Sequence, residues 1–194
     1  ENALSHAHAD TLSFEIAVNA RTRLIDPGVC EYKCGEWRDY FRSTASHNTI
    51  VVDRKNQSEV WNSFRVAHRA HAQIIDWGRS GNREVIAGQH SGYLGIRDPV
   101  LHQRAICNKM DGQWEITDIL RCQGRTQHYY ELFFHLTPCE ITCHYDPDQY
   151  QAIFDDGVIL TFVTEHPNGT IARILNGWIS YGWKQVLEAP VISL

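Results

Sequence analysis

The sequence predicts an all-β protein, an antiparallel β-sandwich, because alternating apolar patterns and tight-turn signals recur along most of its 194 residues. Near the start, apolar residues alternate with small or polar ones at Leu12, Phe14, Ile16 and Val18. A period of two is the pattern of a half-buried strand. A β-branched run over residues 49–53 predicts a second buried strand further along.

Similar stretches continue toward the C-terminus, separated by short polar segments. No segment carries the apolar stripe of a long helix, and the one helix we expect is short, over residues 37–42. Strands are expected at 21–25, 64–77, 83–90, 100–109, 113–120, 128–136, 139–145, 150–154, 157–164, 170–175 and 177–183.

Turn signals stand where these strands must reverse direction. Asn19-Ala20 is expected to turn the first strand back, and Asp26-Pro27-Gly28 to end the second. With no repeat, linker or low-complexity tract, the sequence predicts a single domain over residues 1–194. Three further dipeptides suit a two-residue type I′ hairpin, in which both central residues need positive φ: Asp111-Gly112, Asp156-Gly157 and Asn168-Gly169.

Composition and charge exclude several classes of protein. Hydrophobic residues make up 43% of the chain, enough for a packed core. A formal net charge of -5 argues against a nucleic-acid partner, which needs a basic surface to neutralise phosphates. No apolar run reaches the roughly 20 residues of a membrane span. The chain begins at Glu1 without a basic-then-apolar leader, so we expect a processed or shortened product.

The six cysteines permit disulfides without requiring them. Cys139 and Cys143 on one strand would lie roughly 13 Å apart, too far for a bridge. Cys30 and Cys34 fall in an expected loop and could be bonded or free. We expect mostly free thiols, and no four-cysteine zinc site, because the sequence has no CxxC pair.

The residues that carry chemistry lie in the first 60 positions. His6-Ala7-His8 places two imidazoles two residues apart, on one face of an expected strand. Asp26 ends the next strand, and His47 precedes the β-branched run. Two histidines and a carboxylate from neighbouring segments match the three-ligand set of zinc, with water or substrate as the fourth ligand. Because the chain has eleven histidines, hydrogen-bonded core histidines are the alternative from the residues alone.

Four ordered motifs resemble the heparinase II/III-like polysaccharide lyases, across most of the chain and most densely over residues 5–60. The first is HAHADTLSFE over residues 6–15, similar to the family's HxHAD-x-LSFE segment. Asp26-Pro27-Gly28, then WRDYFRST over 37–44, then His47-Asn48-Thr49 follow in the family's order. Further on, residues 111–114 (DGQW) and 134–138 (FHLTP) resemble its later sandwich strands.

The resemblance implies a metal site beside a catalytic histidine. His8, Asp26 and His47 would bind a divalent ion, expected to be zinc, that organises the cleft. His6 would face the substrate and take part in catalysis. An upstream (α/α) helical toroid, which these 194 residues do not contain, would supply a tyrosine and an Asn or His. The chain alone is therefore expected to be inactive.

The resemblance also implies substrate contacts by Tyr32 and Arg42. The family often has a tyrosine where Cys30 stands here, and a structural ion pair is the alternative for Arg42. Asn48 is expected to pin a turn, and His135 to be a hydrogen-bonded strand residue.

The implied reaction is cleavage of an acidic, uronic-acid-containing polysaccharide by β-elimination, in the periplasm or outside the cell. Two alternatives are a sandwich that binds or packs against polysaccharide without chemistry, and an exopolysaccharide-locus protein of unknown activity. A third is a cupin-like metal enzyme, since cupins carry H-x-H on a strand. Their glutamate ligand follows the second histidine by four or five positions, whereas Glu15 follows His8 by seven.

Overall fold

The computed structural model describes residues 6–143, 149–164 and 172–194. The one helix there, α1 (Glu36–Arg42), is followed by a 3-10 turn over Thr44–Ser46. The strands are β1 (Ile16–Val18), β2 (Arg21–Leu24), β3 (Ile50–Val52), β4 (Val60–Trp61), β5 (Arg65–Val66), β6 (Ala72–Ser80), β7 (Arg83–His90), β8 (Val100–Asn108), β9 (Trp114–Cys122), β10 (Tyr130–His135), β11 (Glu140–Cys143), β12 (Gln149–Ile153), β13 (Ile159–Val163), β14 (Arg173–Gly182) and β15 (Gln185–Ser193).

These strands form two four-stranded sheets, a three-stranded sheet and two ribbons. The first four-stranded sheet has the order β14-β15-β10-β3, and the second has the order β6-β7-β8-β9. β11, β12 and β13 make the three-stranded sheet, while β1-β2 and β4-β5 are the ribbons. Paired strands run antiparallel throughout, which confirms the predicted all-β antiparallel fold.

The principal core lies between the β14-β15-β10-β3 sheet and the three-stranded sheet. Phe134 and Ile192 of the first sheet pack with Tyr150 and Ala152 of β12, and Leu24 closes one end. Burying each large apolar side chain stabilises the fold by roughly 1.5–3 kcal/mol. Two sheets packed face to face in this way form the predicted β-sandwich.

The short strand β3 is buried on both faces, which explains its unbroken β-branched sequence. Ile50 and Val52 join Tyr93 in a second cluster that attaches the β6-β7-β8-β9 sheet. The Tyr93 hydroxyl donates to the Ile50 carbonyl at 2.8 Å. On the opposite face, Val51 packs with Phe133. β3 therefore holds two sheets together immediately after His47.

One predicted turn is confirmed. Asn19 and Ala20 have φ values of 53° and 59° and join Val18 to Arg21, as a type I′ turn requires. The two-residue turns predicted at residues 111–112 and 156–157 are wrong, because only the glycine of each pair has positive φ. The pair Asn168-Gly169 lies outside the described residues.

Aspartate side chains explain the two longer turns. Asp111 accepts a hydrogen bond from the N–H of Gln113 at 3.0 Å, and Asp156 accepts one from Val158 at 3.3 Å. An aspartate bonded to the backbone two residues on favours an Asx turn over the left-handed conformation that type I′ needs. The glycine of each pair then adopts positive φ, with values of 86° at Gly112 and 79° at Gly157, and Met110 in the first hairpin also does so, with a φ of 57°.

The predicted strand over residues 12–18 is wrong in its first half, and so is the predicted strand over His6 and His8. Residues 6–15 form a loop, and the strand begins only at Ile16. Leu12 has a φ of 64°, and the Ser13 N–H donates to the Asp10 carbonyl at 2.9 Å, so the chain turns here. A strand-borne H-x-H pair, on which the cupin interpretation depended, is therefore absent from this segment.

The C-terminal strands also differ from expectation. Over the described residues, the predicted stretches 170–175 and 177–183 fall on one strand, β14 (Arg173–Gly182), and its partner β15 was not predicted. Pro190 interrupts the strand pattern of β15, although it lies opposite Asn176 in the ladder. Cys30, Cys34, Cys107, Cys122 and Cys139 are free thiols, as expected. Within the described ranges, none of the helical structure is long and apolar enough to cross a bilayer.

Candidate functional site

His8 and His47 meet where the loop 6–15 crosses the segment that leads into β3. Their facing ring nitrogens, Nδ1 of His8 and Nε2 of His47, are 3.2 Å apart. An Asp26 carboxylate oxygen lies 3.5 Å from His47 Nε2. Two ligands at about 2.05 Å from a tetrahedral zinc ion lie about 3.3 Å from each other. The His8–His47 and His47–Asp26 spacings therefore each fit a pair of ligands on one ion, whereas the three residues whose ligand atoms all lie close together are His8, Asp10 and His47.

The hydrogen bonds of His47 fix its tautomer. Its ring is completely buried, and its Nδ1–H donates to the Ser43 carbonyl at 2.7 Å. Nε2 of His47 therefore carries the lone pair, directed toward His8 and Asp26. Burial, reinforced by the neighbouring His47, lowers the pKa of His8 to about 3. Neutral imidazole is the form that binds metals, so both rings suit ligation.

Asp10 is a further candidate ligand that the sequence did not single out. One ligand atom each from His8, Asp10 and His47 lies within 4.8 Å of the other two. Asp10 and Asp26 both line an open depression beside the histidine pair. The available signal in the sequence was the spacing His6-x-His8-x-Asp10. The turn at residues 10–13 places Asp10 close to both His8 and His47.

His6 lies at the edge of an exposed group of rings, Tyr32, Phe64 and Trp183, which we call the aromatic cluster. The His6 ring centroid is 5.1 Å from that of Tyr32 and 5.7 Å from that of Phe64. Tyr32 and Phe64 are stacked at 5.8 Å, and Trp183 lies 5.7 Å from Tyr32. The predicted substrate residue Tyr32 thus lies beside the predicted catalytic residue.

Two buried arginines of α1 hold the tip of the β4-β5 hairpin, which carries Phe64. Arg38 donates from Nε to the Ser63 carbonyl at 2.9 Å. Arg42 donates to the carbonyls of Asn62 and Arg65, and also to Ala7. Arg42 is only 1% exposed and all its donor groups are engaged. Contact of Arg42 with substrate stays a prediction. The alternative role, a structural ion pair, is wrong in its partner, because Arg42 binds backbone carbonyls in the described residues.

Asn48 pins the loops beside the candidate metal site, as expected. Its side-chain amide donates to the Phe14 and Ile25 carbonyls at 2.8 and 3.1 Å, and its oxygen accepts the His135 N–H at 2.6 Å. The His135 ring in turn donates to the Ala45 carbonyl at 2.9 Å, as a hydrogen-bonded strand histidine would. The position of His47 therefore depends on this buried network.

A second buried chain of hydrogen bonds reaches the same loops from the β6-β7-β8-β9 sheet. Arg104 donates to the Leu12 carbonyl at 2.8 Å and binds Asp118 through two nitrogens, at 2.8 and 2.9 Å. Asp118 also accepts from His102 at 2.6 Å, and His102 Nδ1 lies 2.9 Å from His90 Nε2. We call this set the Arg104–His90 chain.

The Arg104–His90 chain has one consistent arrangement of protons. The Gly92 N–H donates to His90 Nδ1 at 3.1 Å, so the proton of a neutral His90 lies on Nε2 and points to His102. His102 then donates to Asp118. Although burial alone would raise the pKa of Asp118, Arg104 and the hydrogen bond from His102 hold that pKa below its usual range.

We expect acid to destabilise the fold below about pH 6.5, because two core histidines must remain neutral. Burial lowers the pKa of His90 from 6.5 to about 3 and that of His135 from 6.5 to about 4. Between pH 6.5 and these lowered pKa values, the unfolded chain binds protons that the folded chain does not. The free energy of unfolding therefore falls as pH falls. Each histidine contributes a slope of about 1.4 kcal/mol per pH unit.

Scanning calorimetry from pH 7 to pH 4 checks this expectation. Replacing His90 by glutamine should flatten the fall in melting temperature, whereas the same change at the exposed His71 should leave it unaltered. A melting temperature that stays constant between pH 7 and pH 5 would contradict the prediction.

Comparisons with known proteins agree with this architecture. A heparin-sulfate lyase of Bacteroides stercoris is 20% identical in an alignment 195 residues long that covers 98% of this chain and 27% of that protein. The crystal structure of heparan sulfate lyase HepC from Pedobacter heparinus superposes with a TM-score of 0.77 at 20% identity, over 97% of this chain and 28% of that one. A heparinase III structure gives 0.75 at 20% identity, over 100% and 28%.

The chain thus spans just over a quarter of the length of these relatives. The sequence model of the family described as heparinase II/III-like, C-terminal, matches residues 1–191. Because that match covers nearly the whole chain, the protein belongs to the heparinase II/III-like family and represents its C-terminal region.

Proposed function

We propose that this chain forms one side of the active-site cleft of a polysaccharide lyase that cleaves uronic-acid-containing polysaccharide by β-elimination. The observation that carries the proposal is the place of His6, an exposed imidazole beside exposed rings and two residues from the His8–His47 pair. Family membership supports it, as do the names of two similar proteins, a heparin-sulfate lyase and a heparan sulfate lyase.

β-Elimination has three chemical requirements. The uronate carboxylate must be neutralised so that the C5 proton becomes acidic, a base must take that proton, and an acid must protonate the departing O4. We assign His6 a share in the base role or in polarising the carboxyl group, because an exposed imidazole can accept or donate a proton. The other groups, a tyrosine and an Asn or His, are proposed to come from an upstream helical domain.

We further propose that His8, His47 and Asp26 bind a divalent ion. We assign zinc, because two histidine nitrogens and one carboxylate oxygen are ligands that zinc commonly takes in proteins. The 3.2 and 3.5 Å spacings around His47 Nε2 support this assignment. When bound, the ion would tie the loop 6–15 to the segments after β2 and before β3. That tie would fix the direction in which His6 points, as supporting groups do around other sites.

The metal proposal predicts which carboxylate is needed. In the full-length protein, His47→Ala and Asp26→Asn should each lose most bound zinc after dialysis against a weak chelator, because each removes a direct ligand. Asp10→Asn, which tests the competing candidate ligand, should keep zinc near one per chain. Metal content is measured by mass spectrometry of the digested protein.

Two results would oppose this assignment. Loss of zinc in Asp10→Asn with retention in Asp26→Asn would move the third ligand to Asp10. Zinc content in His47→Ala equal to that of the parent protein would remove the metal proposal itself.

The proposed activity is tested by incubating the full-length protein with a panel of polymers: heparan sulfate, chondroitin sulfate, hyaluronan, alginate and polyglucuronate. β-Elimination leaves a C4–C5 double bond, so a rise in ultraviolet absorbance reports each cleavage. Absence of that rise on every polyuronate would reject the lyase proposal. We place the activity in the periplasm or outside the cell, where such polymers occur.

A binding module without chemistry is the second candidate, because the exposed aromatic cluster would also suit a sugar-binding surface. It predicts binding of the polymer without a double bond in the product. The two candidates differ in what His6 contributes, which a single substitution separates.

A further inference from the structure

The aromatic cluster is assembled from three separate parts of the chain. Tyr32 follows the Asp26-Pro27-Gly28 turn, Phe64 is at the tip of the β4-β5 hairpin, and Trp183 is in the turn between β14 and β15. These side chains are 37%, 45% and 58% exposed, respectively. Large rings placed together from distant segments and left open to solvent are uncommon in a protein that uses them only for packing.

The backbone holds each of these segments in place. The Lys184 N–H donates to the Cys30 carbonyl at 2.9 Å, and the Ser180 N–H donates to the Pro27 carbonyl at 2.8 Å. These bonds fasten the turn bearing Trp183 to the loop bearing Tyr32. At the hairpin, Arg38 and Arg42 hold the carbonyls on either side of Phe64. Rings held in this way lose little entropy when a ligand binds.

A buried guanidinium, Arg38, lies beside the rings and forms no ion pair within the described residues. The Arg38 guanidinium carbon is 5.2 Å from the centroid of Tyr32 and 5.8 Å from that of Phe64. Arg38 is 1% exposed, and its Nη1 and Nη2 have no hydrogen-bond partner in the described part of the chain. Among the described residues no carboxylate forms an ion pair with it. This charge makes the ring surface attractive to an acidic ligand.

We propose that Tyr32, Phe64 and Trp183 form a stacking subsite for a sugar ring of the acidic polysaccharide, next to the unit that meets His6. The apolar faces of pyranose rings stack on aromatic side chains, and Arg38 beneath supplies the electrostatic preference for a uronate or sulfated unit. This subsite rests on the proposed function for its substrate class. It assigns Phe64 and Trp183 a role in binding and not in proton transfer.

The subsite is tested by binding as well as by turnover in the full-length protein. Phe64→Ala and Trp183→Ala should each raise KM about five- to tenfold and leave kcat within about twofold. Trp183→Phe should restore most of the loss. The matched control is Trp77→Ala, since Trp77 is 78% exposed and makes no ring contact in the described part of the chain.

Equilibrium titration with a heparan sulfate hexasaccharide separates this proposal from the lyase proposal. In a protein that shows no cleavage, a five- to tenfold rise in Kd for both alanine variants would still support the subsite. Unchanged Kd and KM in both variants would overturn it. A lowered melting temperature with unchanged Kd would also overturn it, because it would show that another part of the full-length chain covers the rings.

Discussion

Replacing His6 by alanine in the full-length protein is expected to lower kcat on a uronate polymer by about 10²- to 10⁴-fold, the range for removal of a general acid or base. The His6 side chain is exposed and its contacts are with rings at the surface. Its loss should therefore leave the melting temperature nearly unchanged. Initial rates of double-bond formation, with calorimetry on the same sample, measure both quantities.

The matched control for His6 is His71→Ala, an exposed histidine just before β6. We expect that variant to retain the kcat of the parent protein. If His6→Ala cleaves the polymer at the parent rate, the catalytic role is wrong and the chain contributes binding alone. If both variants lose activity together with structure, the comparison is repeated with His6→Gln, which keeps a polar side chain of similar size.

Replacing Asp118 by alanine is expected to destabilise the domain by about 3–5 kcal/mol, the largest effect on stability that we predict. Asp118 binds two nitrogens of Arg104 and accepts from His102, whose side chains are nearly or completely buried. Its removal leaves the buried Arg104 charge without its carboxylate counter-charge. Arg104 also donates to the Leu12 carbonyl, so the loop that carries His8 should loosen as well.

Hydrogen exchange on the full-length protein measures this prediction locally. Amide protection should fall in β8, β9 and the loop 6–15 of Asp118→Ala. The control Asp76→Ala changes an exposed carboxylate on β6 and should cost less than about 0.5 kcal/mol. Equal protection in the two variants would show that the Arg104–His90 chain carries little stability.

Much of the fold follows from local patterns in the sequence. The period-2 stretches predict most of the strands, and Asn19-Ala20 forms the type I′ turn that its position suggests. The failures have local causes. Asp111 and Asp156 bond to the backbone two residues on and thereby lengthen their turns. Pro190 interrupts the sequence pattern of β15, and its ladder partner Asn176 lies 14 residues away, so only the folded hairpin reveals the pairing.

Candidate site residues could be predicted where they belong to contiguous sequence motifs. Residues that only the folded chain brings together could not be predicted. His8 and His47, 39 positions apart in sequence, lie in contact, and their role as metal ligands stays a prediction. The loop conformation of residues 6–15 was missed because its stabilising partners, such as Arg104 at 92 positions' separation, leave no local signal. Phe64 and Trp183 were also missed, because they lie far apart in the sequence and no local pattern shows that they meet. Aromatic residues in a β protein more often pack on neighbouring strands.

The hydrogen bonds from α1 to the β4-β5 hairpin affect how this region responds to acid. Arg38 and Arg42 bind peptide carbonyls there, and a carbonyl cannot be neutralised by acid as a carboxylate can. The tip of the β4-β5 hairpin should therefore stay bound to α1 through an acid range that weakens the core around the buried histidines. The proposed substrate is a polyanion, which concentrates protons around itself, so acceptors that do not titrate would keep the contact surface of the proposed lyase fixed in its presence.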